Sequence, residues 1–338
     1  MKFSRDFNSE IRDASRQQMA LEIRFAQLSQ LPDFPIVVPT CYFADFQHST
    51  GTGLMITECI PYGEGNVEFQ LPKAMDYRLG DSFPYYQALI RNLARLAAAS
   101  KSGPLREAVE RQFPFHPEQL DVGPRKALQP GQLEQNIDRY TQFCQTNPDL
   151  MPAHLRSDEF LERFRQQARQ FQHRQPHIHA LLQRDPDMIA LCHWNAHVDN
   201  AWFWRDASGE LECGLLDWGN VSQMNVAMAL WGCLSGAELK LWNEHLDDLL
   251  QLFTTTYQAG CGIQLDIEQL KRHLTLYMGS MGLNWLLGGP IKTLSRLEGL
   301  SAASARTDPI IESNEPARAQ LHLMQVFLNH WSHSDMAV

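Results

Sequence analysis

With 338 residues, 44% of them hydrophobic, the chain can bury one large core or two unequal ones, and a small lobe on a larger one fits. A net charge of -10 and a pI near 5.7 argue against a nucleic-acid groove, whose footprint is basic, and suit a neutral or cationic small substrate. Seven scattered cysteines with no C-x-x-C pair point to reduced thiols and a cytoplasmic protein.

Met1 to Asp6 carries charges where a signal peptide needs an apolar core. Apolar residues at helical spacing (Ile11, Ala14, Met19, Leu21, Ile23, Phe25, Leu28) predict an amphipathic helix over 10–30, ended by Pro32. Residues 35–39 and 41–45 read as strand-like. Gly51-Thr52-Gly53 is a hairpin turn and not a phosphate loop, since no helix follows it, and it leads into the apolar strand Leu54 to Ile60. Residues 83–100 form a helix with an apolar stripe through Tyr86, Leu89, Ile90, Leu93, Leu96 and Ala97. Residues 102–186 are rich in Gln, Arg and Glu at helical spacing and predict a helical insert flanking a substrate cleft. No heptad or internal repeat persists.

Met188 to Leu191 then leads into Cys192-His193-Trp194-Asn195-Ala196-His197-Val198-Asp199-Asn200. Trp202-Phe203-Trp204, the turn Asp206 to Gly209 and the strand Leu211 to Leu216 make a hairpin that returns Asp217 toward Asn200. One amide oxygen and one carboxylate at the mouth of a short sheet suit Mg²⁺, which takes few protein ligands and completes its shell with water and phosphate. The aromatic cluster Trp202, Phe203, Trp204 and Trp218 reads as core packing. Beyond it, 226–234, 239–257, 265–287 and 317–331 are helical and 294–315 is loop-rich. The charge-free run Leu274 to Ile291 contains Asn284, glycines and Pro290 and reads as buried helix, not a membrane span.

These residues resemble the active-site signature of the aminoglycoside phosphotransferase and choline kinase group, His-x-Asp-x-His-x-x-Asn followed by a hairpin and an apolar pair before Asp-Trp. His193, His197, Asn200 and Asp217 match; Asn195 stands where the group has its catalytic Asp. The resemblance implies an α+β, two-lobed protein-kinase-like fold, with a shortened, incomplete β-containing lobe and hinge over 1–62 and a large, mainly helical lobe over 63–338. It also implies ATP and Mg²⁺, with Asn200 and Asp217 on the metal and residue 195 orienting a small-molecule hydroxyl. His193 would brace the loop and Asp199 stand as a replacement base. Glu22 would pair with Lys2 at the phosphates, unless it is a solvated helix charge. The backbone of Glu58 to Ile60 would meet the adenine edge, and Asp308, Glu312 and Glu315 would face a cationic acceptor. Leu93-Ala94-Arg95-Leu96-Ala97 resembles the group's Leu-Ala-x-Leu-His, with alanine in place of histidine.

Asparagine accepts a hydrogen bond but takes no proton at neutral pH, so the alternative is a pseudokinase that binds nucleotide or metabolite without transfer. A third reading takes His193 and His197, with Cys192 or Asp217, as a zinc hydrolase site.

Overall fold

Two hydrophobic cores of very unequal size organise the chain, seen in a computed structural model that describes residues 1–8, 13–117 and 128–336. The architecture is α+β and two-lobed, as the resemblance implies. The small lobe is an antiparallel sheet of β1 (Lys2–Phe3), β2 (Cys41–Gln47) and β3 (Thr52–Thr57), in the order β1-β3-β2, with α1 (Gln18–Leu28) against it. Lys2 pairs with Met55 and Phe3 with Leu54. The Ser4 hydroxyl ties β1 down, donating to Gly51 O (2.8 Å) and accepting from Gly53 N (2.6 Å).

Helix α1 is shared between the cores. Met19 and Ile23 meet Met55 in the small one, while Phe25 and Leu28 join the large one. The helix expected over 10–30 is regular only from Gln18 to Leu28, and Ile11 lies outside the described residues. It stops before Pro32, in a turn where Ser29 N returns to Phe25 O.

The large lobe is built on α2 (Phe83–Ala99), whose stripe Tyr86, Leu89, Ile90, Leu93, Leu96 and Ala97 is fully sequestered. Each of its leucine and isoleucine side chains contributes roughly 1.5–3 kcal/mol when removed from water. On α2 rest β4 (Ile189–Cys192), antiparallel to β7 (Ser222–Asn225), and the hairpin of β5 (Ala201–Arg205) and β6 (Leu211–Leu215). Asn92 on α2 donates to Cys213 O (2.8 Å) and Leu191 N to Ser100 Oγ (3.0 Å), which fixes both strand pairs to the helix. The small lobe is stitched to the hairpin where Leu215 N donates to Val37 O (3.1 Å).

The region 102–186 supplies α3 (Gly103–Gln112), α4 (Gln132–Thr146) and α5 (Asp158–Arg184). The remaining helices are α6 (Val226–Leu234), α7 (Leu239–Cys261), α8 (Ile267–Trp285), α9 (Gly288–Leu294), α10 (Pro309–Glu312) and α11 (Glu315–His333). The single helix expected over 265–287 and the charge-free run are divided between α8 and α9, with the break at Leu286–Leu287. Among the described residues no helix is long and apolar enough to cross a membrane.

Candidate functional site

The loop 193–200 leaves β4 and ends in a 3-10 turn over Val198–Asn200. His193, 1% exposed, braces it from behind: Nε2–H donates to Leu216 O (2.7 Å) and Nδ1 accepts from Asn195 N (3.0 Å). Both ring nitrogens are therefore occupied, and burial holds the imidazole below its ordinary pKa and neutral. His197 faces the other way, with Nε2 2.9 Å from Ser235 Oγ, and burial aided by the Lys73 charge takes its pKa to about 3. Trp194 donates from Nε1 to Tyr277 OH (2.8 Å). Its carbonyl sits so close to Gly232 of α6 that a Cβ there would overlap it.

Asp217 follows β6 with φ of 61°, a left-handed backbone that costs on the order of 1–3 kcal/mol for a non-glycine residue and tends to mark functional positions. Its neighbours keep it there. Trp218 stacks on Phe25 of α1 at 3.6 Å between centroids and donates from Nε1 to Leu215 O (3.1 Å). Lys2 Nζ bridges Asp217 Oδ1 and Glu22 Oε2, each at 2.7 Å. The Glu22 side chain is 7% exposed, so it is not a solvated helix charge; burial raises its pKa against the pull of Lys2. Lys2 and Asp217 are about half exposed, at 47% and 50%. For both, burial works against the charged form, but their pairing outweighs it, so the Lys2 pKa is raised and that of Asp217 lowered.

Leu216 N donates to Asn200 O (2.8 Å), which sets Asp217 beside the end of the loop. Asn200 donates from Nδ2 to Asn195 O (2.8 Å); that bond assigns the amide's orientation and leaves its Oδ1 without a protein partner among the described residues. Asn200, Asp217, Lys2 and Glu22 line one cavity of about 310 Å³ between the lobes. An amide oxygen and a carboxylate form a hard-oxygen donor set that fits Mg²⁺. Among the described residues no group of three or more His, Cys, Asp or Glu could hold a metal ion. The zinc reading is thereby corrected: the two imidazoles diverge, toward Leu216 and Ser235, and are spent on the protein.

A larger cavity of about 680 Å³ opens on the other side of the loop, walled by Trp194, Trp231, Trp285, Asn284 and Glu315. Asn195 faces it, and among the described residues its side-chain amide has no partner. A third space of about 310 Å³, lined by Gln70, Lys73, Asp199 and Glu315, shares Asp199 with the first cavity and Lys73 and Glu315 with the larger one. Asp199 is not a freely solvated loop carboxylate. Its side chain is 16% exposed, burial raises its pKa, and Lys73 Nζ lies 3.8 Å from Oδ2.

The remaining residues singled out in the sequence are placed as follows. Neither Glu58 nor Ile60 lines a cavity described above. Glu58 N donates to Thr40 O (2.8 Å), its carboxylate accepts from Thr40 N (2.8 Å), and Ile60 O accepts from Tyr62 N (2.9 Å). Val38, Pro39, Met55 and Thr57 line the small-lobe side instead. The 102–186 helices line none of the three cavities; α4 packs against α9, behind the wall of the large one. Of the three late carboxylates only Glu315 faces a cavity. Asp308 accepts from Ala305 N (3.0 Å), and Glu312 is held by Tyr77 and Arg78. His193 is too buried to touch a substrate. Sequence reasoning missed Lys73 and the tryptophan wall, which belong to no local pattern.

No protein-family model matches the chain, and no curated protein matches it in sequence. Among solved structures it is similar to an ethanolamine kinase of Plasmodium vivax, at 13% identity over 92% of this chain and 71% of that one, TM-score 0.44. A choline/ethanolamine kinase family protein from Mesorhizobium loti matches at 14% over 92% and 83%, TM-score 0.43. The GDP complex of an aminoglycoside 2'-phosphotransferase-IIIa matches at 15% over 97% and 85%, TM-score 0.44.

Proposed function

We propose that the chain is a small-molecule phosphotransferase of the aminoglycoside phosphotransferase and choline kinase kind, binding ATP in the inter-lobe cavity and a hydroxyl acceptor in the larger one. The observation that carries this reading is the Glu22–Lys2–Asp217 bridge, with Asn200 in the same cavity. An ammonium held by a helix glutamate and a carboxylate paired with a free amide oxygen are what nucleotide phosphates and their metal need. Asn200 and Asp217 would hold Mg²⁺, which supplies charge neutralisation at the phosphate oxygens. We keep the division into a small lobe over 1–62 and a large one over 63–338, and seven free thiols suit a cytoplasmic setting.

In the transfer, the bond from the γ-phosphorus to its bridging oxygen breaks as the acceptor oxygen bonds to phosphorus, and ADP leaves. The Asn195 amide oxygen orients the hydroxyl, and its proton passes to the Asp199 carboxylate, whose raised pKa favours accepting it. Three tryptophans and Glu315 around the larger cavity suit an acceptor bearing an amine, through ring faces and one carboxylate. The second reading, a nucleotide-binding pseudokinase, is favoured by the asparagine at 195.

The test is Mg²⁺-dependent ATP consumption by the purified protein across a panel of hydroxylated amines, with nucleotide binding measured beside it. Turnover is expected, and Asn195→Asp should raise it by adding a second proton acceptor beside the hydroxyl. ATP binding without turnover in either protein would favour the pseudokinase. No nucleotide binding at all would sink both readings.

A further inference from the structure

Lys73 belongs to no motif, yet its backbone is among the most constrained near the site. Met75 N turns back to Pro72 O (3.2 Å), and Ala74 adopts φ of 54°. Arg318 of α11, 3% exposed, donates from Nε to Lys73 O (2.8 Å) and from its guanidinium to Glu312 O. A strained residue and a buried arginine thus fix where the lysine stem begins.

The side chain that leaves this anchor is unsatisfied. The Lys73 ammonium has three N–H donors and, among the described residues, no hydrogen-bond partner; its nearest carboxylate oxygen, on Asp199, is 3.8 Å away, beyond hydrogen-bond length. Lys2 shows the contrast, with two carboxylate oxygens at 2.7 Å. Lys73 also sits at a junction. It lines the larger cavity and, together with Asp199 beside it, the small space that shares residues with both cavities. Its charge reaches Asp217 on one side and His197 on the other, depressing the pKa of each. The ion pair with Asp199 stops short of hydrogen-bond distance, so the three donors remain available to a ligand.

We propose that Lys73 holds the terminal phosphate of the nucleotide during its passage from the Asp217 side to the acceptor side. The inference rests on the phosphotransferase reading above and deepens it by assigning a phosphate-binding cation outside the motif. Charge spreads over the three outer oxygens of the transferring group, and a fixed ammonium beside their path stabilises it without a proton moving. Lys2 would then serve the phosphates that stay with the nucleotide, and Lys73 the one that leaves.

The experiment compares binding of Mg²⁺-ATP and Mg²⁺-ADP to the full chain by calorimetry, for wild type, Lys73→Met and Lys73→Arg. Lys73→Met should weaken ATP about tenfold, the loss of one charge-assisted contact, while ADP changes less than about twofold. Lys73→Arg should restore most of the ATP preference. Retained ADP affinity shows that the Met variant is folded, a readout that a merely structural lysine would move together with ATP. An unchanged ATP-to-ADP ratio in Lys73→Met would overturn the assignment while leaving the phosphotransferase reading intact, as would equal loss of both ligands. A wild-type protein that binds neither nucleotide takes down both.

Discussion

The two sides of the 193–200 loop are built on opposite principles. On the inter-lobe side the charges nearest the loop's end are held in place: Lys2 is bridged by Glu22 and Asp217, and Asp217 is locked by its stacked tryptophan neighbour. On the side proposed for the acceptor the lining is mostly neutral, three tryptophans and the free amide of Asn195, with Lys73 and Glu315 as its charged side chains. The first side holds its charges before any ligand arrives, so binding there need not reorganise the protein. The second leaves hydrogen-bonding capacity open, which lets the ligand set the specificity.

The largest effect expected of that contrast comes from Asp217→Asn. It removes the carboxylate proposed to hold Mg²⁺ and leaves Lys2 paired with Glu22 alone, and should lower turnover by about 10² to 10³ with weaker Mg²⁺-ATP binding and little change in acceptor affinity. Undiminished turnover would break the comparison at its charged end. Next is Gly232→Ala, where the added methyl meets the Trp194 carbonyl. Overpacking of this kind costs about 1–3 kcal/mol, read as a shifted urea midpoint, and wild-type stability would mean that α6 does not clamp the loop.

A carboxyl buried against α2 gives the next effect. Asp76, buried under Tyr86 (OH to Oδ2, 2.6 Å) and near Glu238, Asp199 and Arg306, is pushed from the ordinary 3.8 to about 7, chiefly by burial. Its folded pKa lies above its unfolded one, so the folded state holds the extra proton between these values and stability falls as pH rises through that window. The slope is at most about 1.4 kcal/mol per pH unit. Asp76→Asn should remove the decline, so its Tm relative to wild type should be higher at pH 8 than at pH 5; a pH-independent difference would contradict the assignment. The smallest effect is that of Trp285→Ala, a partly exposed ring on the cavity wall. Loss of a ring face worth about 0.5–1 kcal/mol should raise the acceptor KM two- to fivefold and leave the ATP KM alone.

What the amino-acid order determined by itself is local. The turn from β4 into the loop, the Asp206–Gly209 hairpin that returns Asp217 beside Asn200, and the apolar stripe of α2 follow from spacing and turn chemistry within some twenty residues. The meeting of Lys2, Glu22 and Asp217 was legible only through a resemblance, since hairpin and helix alone do not bring residues 2 and 217 together. Tertiary structure alone decided the rest: the engagement of Glu58 with Thr40, the helical insert behind the wall of the larger cavity, and Lys73 placed beside Asp199 by an arginine 245 residues away. The reason is physical. Periodicity and turns report the face a residue presents within its own element, whereas a cavity's lining depends on how the elements cross, and that is set by packing across the whole core.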